Sequence, residues 1–365
     1  MLLILKKNSK SGNIFLKILL ILLMCSICTF LIIFPILNYF NINNNTNKIF
    51  NKASLVDIIK NCRNSILERQ LPEGYFYEGD QVHCTSHILR ALNLVRMIYN
   101  YSIDPRIDLM KNSIENNRQT NLFWRCNEFI PTDIDTTLQA LSALKGLSND
   151  SFLYASLDNL SELQLTDGSF KTWIDVGNYT FEELHTEPDC IENDEIGVVL
   201  YYTYKFNKTR YNDMLYKGAE YISFQQHENG TWTTPWYLGD YYGIYKIASF
   251  LSMYNKSKYT SELQKSYSFV INTRNPDNGW GRNGISNPLD TAYCITFLLH
   301  YTNNIYIIQD SMKYLIQAQG ENHLWEEVPF YQIVDEPENL IFGPDLMISA
   351  IILETLGIYL QNLNI

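Results

Sequence analysis

Two carboxylates stand two residues apart in the segment Pro131-Thr132-Asp133-Ile134-Asp135-Thr136-Thr137. At the start of an apolar run they cannot both cap the same helical turn, so one is left for other work. A carboxyl buried beside a like charge keeps its proton and becomes a donor, whereas a helix N-terminus favours the anion. Two readings therefore stand side by side. Either Asp135 is an acid with Asp133 and Thr136 beside it, or the pair is a cap with an exposed neighbour. Further acids recur where later apolar segments begin: Asp194 and Glu195, Asp240, Asp290 and Asp345. Aspartate is an ordinary N-cap, worth about 0.5–2 kcal/mol, so capping alone accounts for any one of these rim acids. Asp290, in Leu289-Asp290-Thr291, reads best as such a cap.

Aromatic faces stabilise cations, carbocations included. The residues placed to do so are Trp124, Trp173, Trp236, Tyr241, Tyr242, Trp280 and Tyr293. With 26 tyrosines in the chain, an aromatic core is expected in any case. Tryptophan also returns at the same place in successive segments, which suits a glue between loops and outer helices. His83 and His87 are four apart and could share a helix face with a metal. No carboxylate accompanies them, and they read as partly buried polar residues. Cys62, Cys84, Cys126, Cys190 and Cys294 are scattered and odd in number, which indicates neither a disulfide framework nor a zinc knuckle.

The elements that carry these residues repeat. After residue 50 an amphipathic run, a polar loop with Gly or Asn beside an aromatic, and a more apolar run return every 45 to 60 residues. The loops include Leu165–Trp173, His227–Trp236 and Asn275–Gly281, and all six tryptophans fall in such loops. Periodicity on this scale means stacked helical pairs. The second run of each pair is apolar over most of its surface, as an inner helix should be, while the first mixes polar residues with leucine and tyrosine. Six pairs can close on themselves. The expected fold is all-α, an (α/α)6 toroid of six helical hairpins over residues 51–365 with inner helices lining a central cavity. An open solenoid is the alternative.

Loops such as Leu163–Trp173, Gln225–Trp232 and Arg274–Gly281, with a following helix that begins Asp290-Thr291, resemble the repeats of the terpene cyclase, squalene cyclase and protein prenyltransferase superfamily. The segment Asp133-Ile134-Asp135-Thr136-Thr137 is similar to the D-x-D-D-T acid motif of its class II cyclases. That resemblance implies that Asp133 matches the first aspartate and Asp135 the proton donor, which starts a carbocation cascade in a polyprenyl lipid. Thr136 stands where a third aspartate is usual. The prenyltransferase branch implies a zinc site, but Asp290 and Cys294 are four apart and the next repeat has no histidine in place, so no metal and no cofactor is expected. Class II cyclases place the acid between two helical domains, and this chain has room for one. A protein partner or a substrate delivered by the membrane would then complete the site. An α/α-toroid carbohydrate enzyme using rim carboxylates, or a non-catalytic toroid scaffold that binds lipid or peptide, are the other classes open to the fold.

Apolar residues make up 46% of the 365 and charged residues 18%, which excludes disorder and a coiled coil. Residues 1–48 hold five lysines and no acid, leaving 23 basic against 39 acidic residues in the rest. So acidic a surface repels phosphate backbones, and nucleic acid is not an expected partner. From Ile18 to Leu37 the chain is almost wholly apolar, long enough to cross a bilayer, with Lys6, Lys7, Lys10 and Lys17 before it. The expected order is a basic cytoplasmic tail (1–17), a single-pass signal anchor (18–40), a linker (41–50) and the toroid on the extracytoplasmic or lumenal side. The competitor is a cleaved signal peptide. Eight sequons, at Asn44, Asn100, Asn149, Asn159, Asn178, Asn207, Asn229 and Asn255, weakly favour a glycosylating lumen.

Overall fold

Six times along the chain an outer helix turns through one kind of loop toward an inner helix. Each loop is built on a residue in the left-handed region: Gly74, Leu122, Gly168, Gly230, Asn278 and His323. In every case its amide donates to the carbonyl three residues earlier, at 2.9–3.0 Å. Glycine is required where the loop lies on the backbone of the next outer helix. A Cβ at Gly168 would meet the Lys217 carbonyl oxygen at 2.2 Å, and one at Gly230 the Lys265 carbonyl carbon at 2.4 Å. Two residues further on stands a buried ring, in turn Phe76, Trp124, Phe170, Trp232, Trp280 and Trp325. Each of these four tryptophans donates its indole N–H to the carbonyl ten residues earlier in the preceding outer helix, at 2.7–2.8 Å. That bond satisfies a buried donor and ties loop to helix.

The structure is a computed structural model and describes residues 52–76, 81–99, 104–177, 191–332 and 341–363, with Tyr179, Leu184, Glu187, Asp189 and Cys190. The tail (1–17), anchor (18–40) and linker (41–50), Cys25 and Cys28, and the sequons at Asn44, Asn100 and Asn178 lie outside the described residues. The described residues from Ile58 onward form one compact unit. The pairs are α1 (Lys52–Glu68) with α2 (Gln81–Tyr99), α3 (Pro105–Asn116) with α4 (Ile134–Leu144), and α5 (Asp150–Glu162) with α6 (Asn193–Asn207). Then follow α7 (Asn212–Phe224) with α8, α9 (Thr260–Asn272) with α10 (Pro288–Tyr301), and α11 (Ile305–Gln317) with α12 (Asp345–Leu363). Helix α8 runs through Tyr241–Gly243, a π-helical turn at Ile244–Ala248, and Ser249–Asn255.

The inner helices form a closed ring: α2 packs on α4, α4 on α6, α6 on α8, α8 on α10, α10 on α12, and α12 on α2. Helix α12 is long and apolar enough to cross a membrane, but it is largely buried as the last inner helix. Four two-residue strands join the loops at the end where inner helices begin. They are β1 (Thr132–Asp133) antiparallel to β2 (Trp173–Ile174), and β3 (Tyr331–Gln332) antiparallel to β4 (Ile341–Phe342).

The centre of the ring is not hollow along its length. Below the loops it is filled by Tyr242, Tyr245, Tyr293, Lys246, Arg90 and Glu354, all buried. The Lys246 ammonium donates to Tyr202 Oη at 2.6 Å and lies 4.2 Å from the ring centres of Tyr202 and Tyr245. Arg90 on α2 reaches Glu354 on α12 at 3.0 Å and Gln139 on α4 at 2.7 Å, so one guanidinium ties the last inner helix to the first two. A hollow walled by all six inner helices was the expectation; large polar and aromatic side chains occupy most of that space.

Candidate active site

What cavity remains sits at the end where inner helices start. It measures about 300 Å³ and lies among His83, Cys126, Asn127, Phe129, Ile130, Asp133, Asp135, Thr136, Thr172, Trp173, Leu184, Glu195, Trp236, Tyr237 and Tyr331. The chain's own loops border it. Tyr237 bridges to Tyr331, and Leu238 and Gln332 donate to the Phe330 and Trp236 carbonyls at 2.9 Å.

Local sequence separates the two aspartates as one cap and one free group. Asp133, extended, caps α4 by accepting from the Thr136 amide at 2.6 Å, and its second oxygen is buried without a hydrogen-bond partner. Asp135 lies in the first turn, 6% exposed, with its carboxyl aimed away from the cap. One of its oxygens accepts from Gln139 Nε2 at 2.9 Å. The other accepts from the Tyr237 hydroxyl and lies 3.5 Å from His83 Nε2. Three repeats thus meet at one carboxyl. The neighbour of the cap is buried, not exposed.

Charge within this cluster is unevenly held. Burial, followed by the adjacent Asp135, raises Asp133 to about 7. Burial also lifts Glu195 and Asp194 well above the usual carboxylate range, with neighbouring acids adding to it. Burial would raise Asp135 too, but hydrogen bonding and charge from His83, then Tyr237 and Gln139, outweigh it and hold this carboxyl below its ordinary value. The result is a comparatively strong acid in contact with histidine, beside weaker acids that keep protons at neutral pH. Groups of this kind bind more protons folded than unfolded between about pH 4 and pH 7, so their contribution to stability falls as pH rises through that window. Thermal unfolding is therefore expected at a higher temperature at pH 5 than at pH 8, and Asp133→Asn should narrow the difference. A flat profile between those values would contradict the buried cluster.

Of the residues picked out in the sequence, the cavity gathers Asp133, Asp135, Thr136, Trp173, Glu195 and Trp236. Asp194 sits one layer behind and accepts from the Trp236 amide at 3.0 Å, while the Trp236 indole donates to Glu192. Trp173 meets Trp236 edge to face, and its indole N–H is buried without a partner. Tyr242 stacks beneath Tyr237, with centroids 3.6 Å apart, and Tyr293 stacks on Tyr245 below that. Trp124 and Trp280 are committed to outer-helix carbonyls, and Tyr241 packs against Phe269 of α9. None of these five residues (Tyr242, Tyr293, Trp124, Trp280, Tyr241) lines the cavity.

The remaining rim acids do not converge. Asp240 is exposed, and Asp345 pairs with Arg69 at 2.5 Å. Asp290 is not the cap expected of it: Asn287 caps α10, and the buried Asp290 carboxyl accepts from the Asn287 side chain at 2.7 Å.

Tyr237 is a residue that sequence reasoning missed, and His83 one whose partner it did not foresee. His83 is not a partly buried polar residue but 5% exposed and turned to Asp135, while His87, also buried, contacts Arg90 at 2.9 Å. Among the described residues no group of three His, Cys, Asp or Glu side chains is placed to hold a metal.

Residues 178–333 match the squalene–hopene cyclase C-terminal domain family. The squalene–hopene cyclase of Bradyrhizobium diazoefficiens is 25% identical over 124 residues, and a probable squalene–hopene cyclase of Sinorhizobium fredii 26% identical over 125. Each alignment takes in 30% of this chain, which spans about a fifth (19%) of the length of these relatives. A type II terpene cyclase from Scytonema, as a variant in complex with the substrate geranylgeranyl dihydroxybenzoate, superposes with a TM-score of 0.68 at 14% identity. That superposition covers 85% of this chain and 99% of the other. The chain thus has the fold of that type II terpene cyclase, and its segment 178–333 is similar to the squalene–hopene cyclase C-terminal domain.

Proposed function

We propose that the protein is a class II terpene cyclase-like enzyme that isomerises or cyclises a polyprenyl lipid by protonation, with Asp135 as the general acid. The observation that carries this reading is the Asp135 carboxyl, buried in the wall of a largely apolar cavity and braced by His83 and Tyr237. In the reaction the Asp135 proton adds to one carbon of an alkene, whose π electrons form the new C–H bond and leave a tertiary cation. A neighbouring alkene closes on that cation, and loss of a proton from an adjacent carbon ends the cascade. Substrate and product have the same mass. Trp173, Trp236, Tyr237 and Tyr331 offer π faces to the cation.

The structural relative bound to a geranylgeranyl compound supports a polyprenyl substrate. The anchor proposed for residues 18–40 would hold the domain, on the extracytoplasmic or lumenal side, at the membrane in which such a lipid dissolves. A sugar platform is disfavoured, because Trp124, Trp232, Trp280 and Trp325 are buried and spent on helix carbonyls. Incubating the full-length protein with acyclic polyprenyl lipids should give a product of unchanged mass with fewer double bonds by NMR. A complete panel returned unaltered would remove the assignment.

A further inference from the structure

The charge around the cavity narrows the substrate further. Among the described residues that line it, Asp133, Asp135 and Glu195 are acids, His83 is the sole basic group, and there is no lysine or arginine. The pattern extends to whole segments. The sequence has no lysine or arginine between Arg69 and Arg90, between Arg125 and Lys145, between Lys171 and Lys205, between Lys217 and Lys246, or after Lys313. Those five stretches supply every residue of the lining. The buried cations nearest in the fold are already engaged, Arg90 with Glu354 and Gln139, and Lys246 with Tyr202 inside a cage of tyrosines.

A diphosphate brought into such a cavity would lose its hydration and find no cation to replace it. Buried charges persist only when paired or bound to metal. Two helix N-termini, of α4 and α6, do favour anions, but Asp133 already accepts at the first, and Asp194 and Glu195 occupy the second. A divalent ion bridging protein to diphosphate would need converging ligands, and among the described residues no group of three is placed for it. What the walls do offer to a head group is neutral hydrogen bonding: the unpartnered Trp173 indole N–H and one unpartnered Glu195 oxygen.

We infer that the cavity takes an uncharged polyprenyl lipid, an alcohol or a hydrocarbon, and excludes prenyl diphosphates. This rests on the polyprenyl reading of the site given above. The test measures binding and turnover separately on full-length protein, using geranylgeraniol and geranylgeranyl diphosphate, with and without magnesium. Quenching of tryptophan fluorescence should show the alcohol binding about 100-fold tighter than the diphosphate at low salt, as like charge at close range in a poorly screened site predicts. Equal or tighter binding of the diphosphate, in either magnesium condition, would overturn the inference. Turnover of the diphosphate in preference to the alcohol would overturn it too, while leaving the cyclase reading intact. Tight, selective binding of the alcohol without conversion of any polyprenyl lipid would uphold the inference and sink the cyclase reading instead.

Discussion

Asp135→Asn is expected to lower conversion of a polyprenyl substrate by about 10²–10⁴-fold, the usual weight of a positioned general acid. Its unfolding temperature should stay close to that of the parent. The amide has the carboxyl's shape: its one oxygen accepts from Gln139 and its nitrogen can donate to the Tyr237 hydroxyl oxygen, so both contacts survive with the second reversed. What it lacks is an acidic proton. The neutral replacement gives up the favourable contact with His83 and is relieved of the cost of burying a carboxylate, two opposed effects that leave a small net change in stability. The pair of measurements matters because a merely structural residue would move stability and activity together. Retained conversion would assign the proton to another acid, with Asp133 and Glu195 the candidates the cavity holds.

The second large effect is on stability and lies deeper in the ring. Glu354→Ala should cost about 3–5 kcal/mol, because it leaves the Arg90 guanidinium buried without its counter-charge. Burial would raise the Glu354 carboxyl, yet the charge of Arg90, followed by Lys205 and Lys246, holds it at about 2. Arg90 also donates to Gln139 Oε1, which leaves the Gln139 amide nitrogen to face Asp135. Loss of the pair therefore disturbs both ring closure and the brace on the acid. Replacing both partners, as Arg90→Met with Glu354→Leu, should recover part of the stability, since neither charge of the pair is then buried alone, although Gln139 Oε1 loses its donor. Denaturant unfolding of the three proteins measures this. A single variant as stable as the parent would contradict the role given to Arg90 as the tie between α2, α4 and α12.

The fold was legible because its repeat is written in residues with one physical task each. A left-handed loop residue, an aromatic two positions on, and a hydroxyl at the inner helix recur. The Trp124, Trp280 and Trp325 amides donate to Thr137, Thr291 and Ser349 at 2.9–3.1 Å. Aligning repeats on those pairs sets Asp133, Asn287 and Asp345 at equivalent positions, and Asp133 and Asn287 both cap their helices. The same alignment puts Asp135 level with Leu289 and Asp290 level with Thr136, so Asp135 stands outside the capping pattern. That signal agrees with the spacing of Asp133 and Asp135, which cannot both cap one turn.

The rest was not legible for reasons of distance. His83 and Tyr237 lie 52 and 102 positions from Asp135 and share no motif with it. Only ring closure and the pairing of the 237 and 331 loops bring them to one carboxyl. The filled centre was equally hidden, since Lys246 and Arg90 look like surface residues until their tyrosine and carboxylate partners are placed around them.

Conversion carried out in deuterium oxide tests the central claim most directly. If Asp135 hands an exchangeable proton to an alkene, each molecule of product carries one deuterium at the carbon where the cascade began. Mass spectrometry reads the gain and NMR locates it. A rearranged product with no deuterium from solvent would mean that the reaction starts by some other route than protonation, and the role assigned to Asp135 would fall.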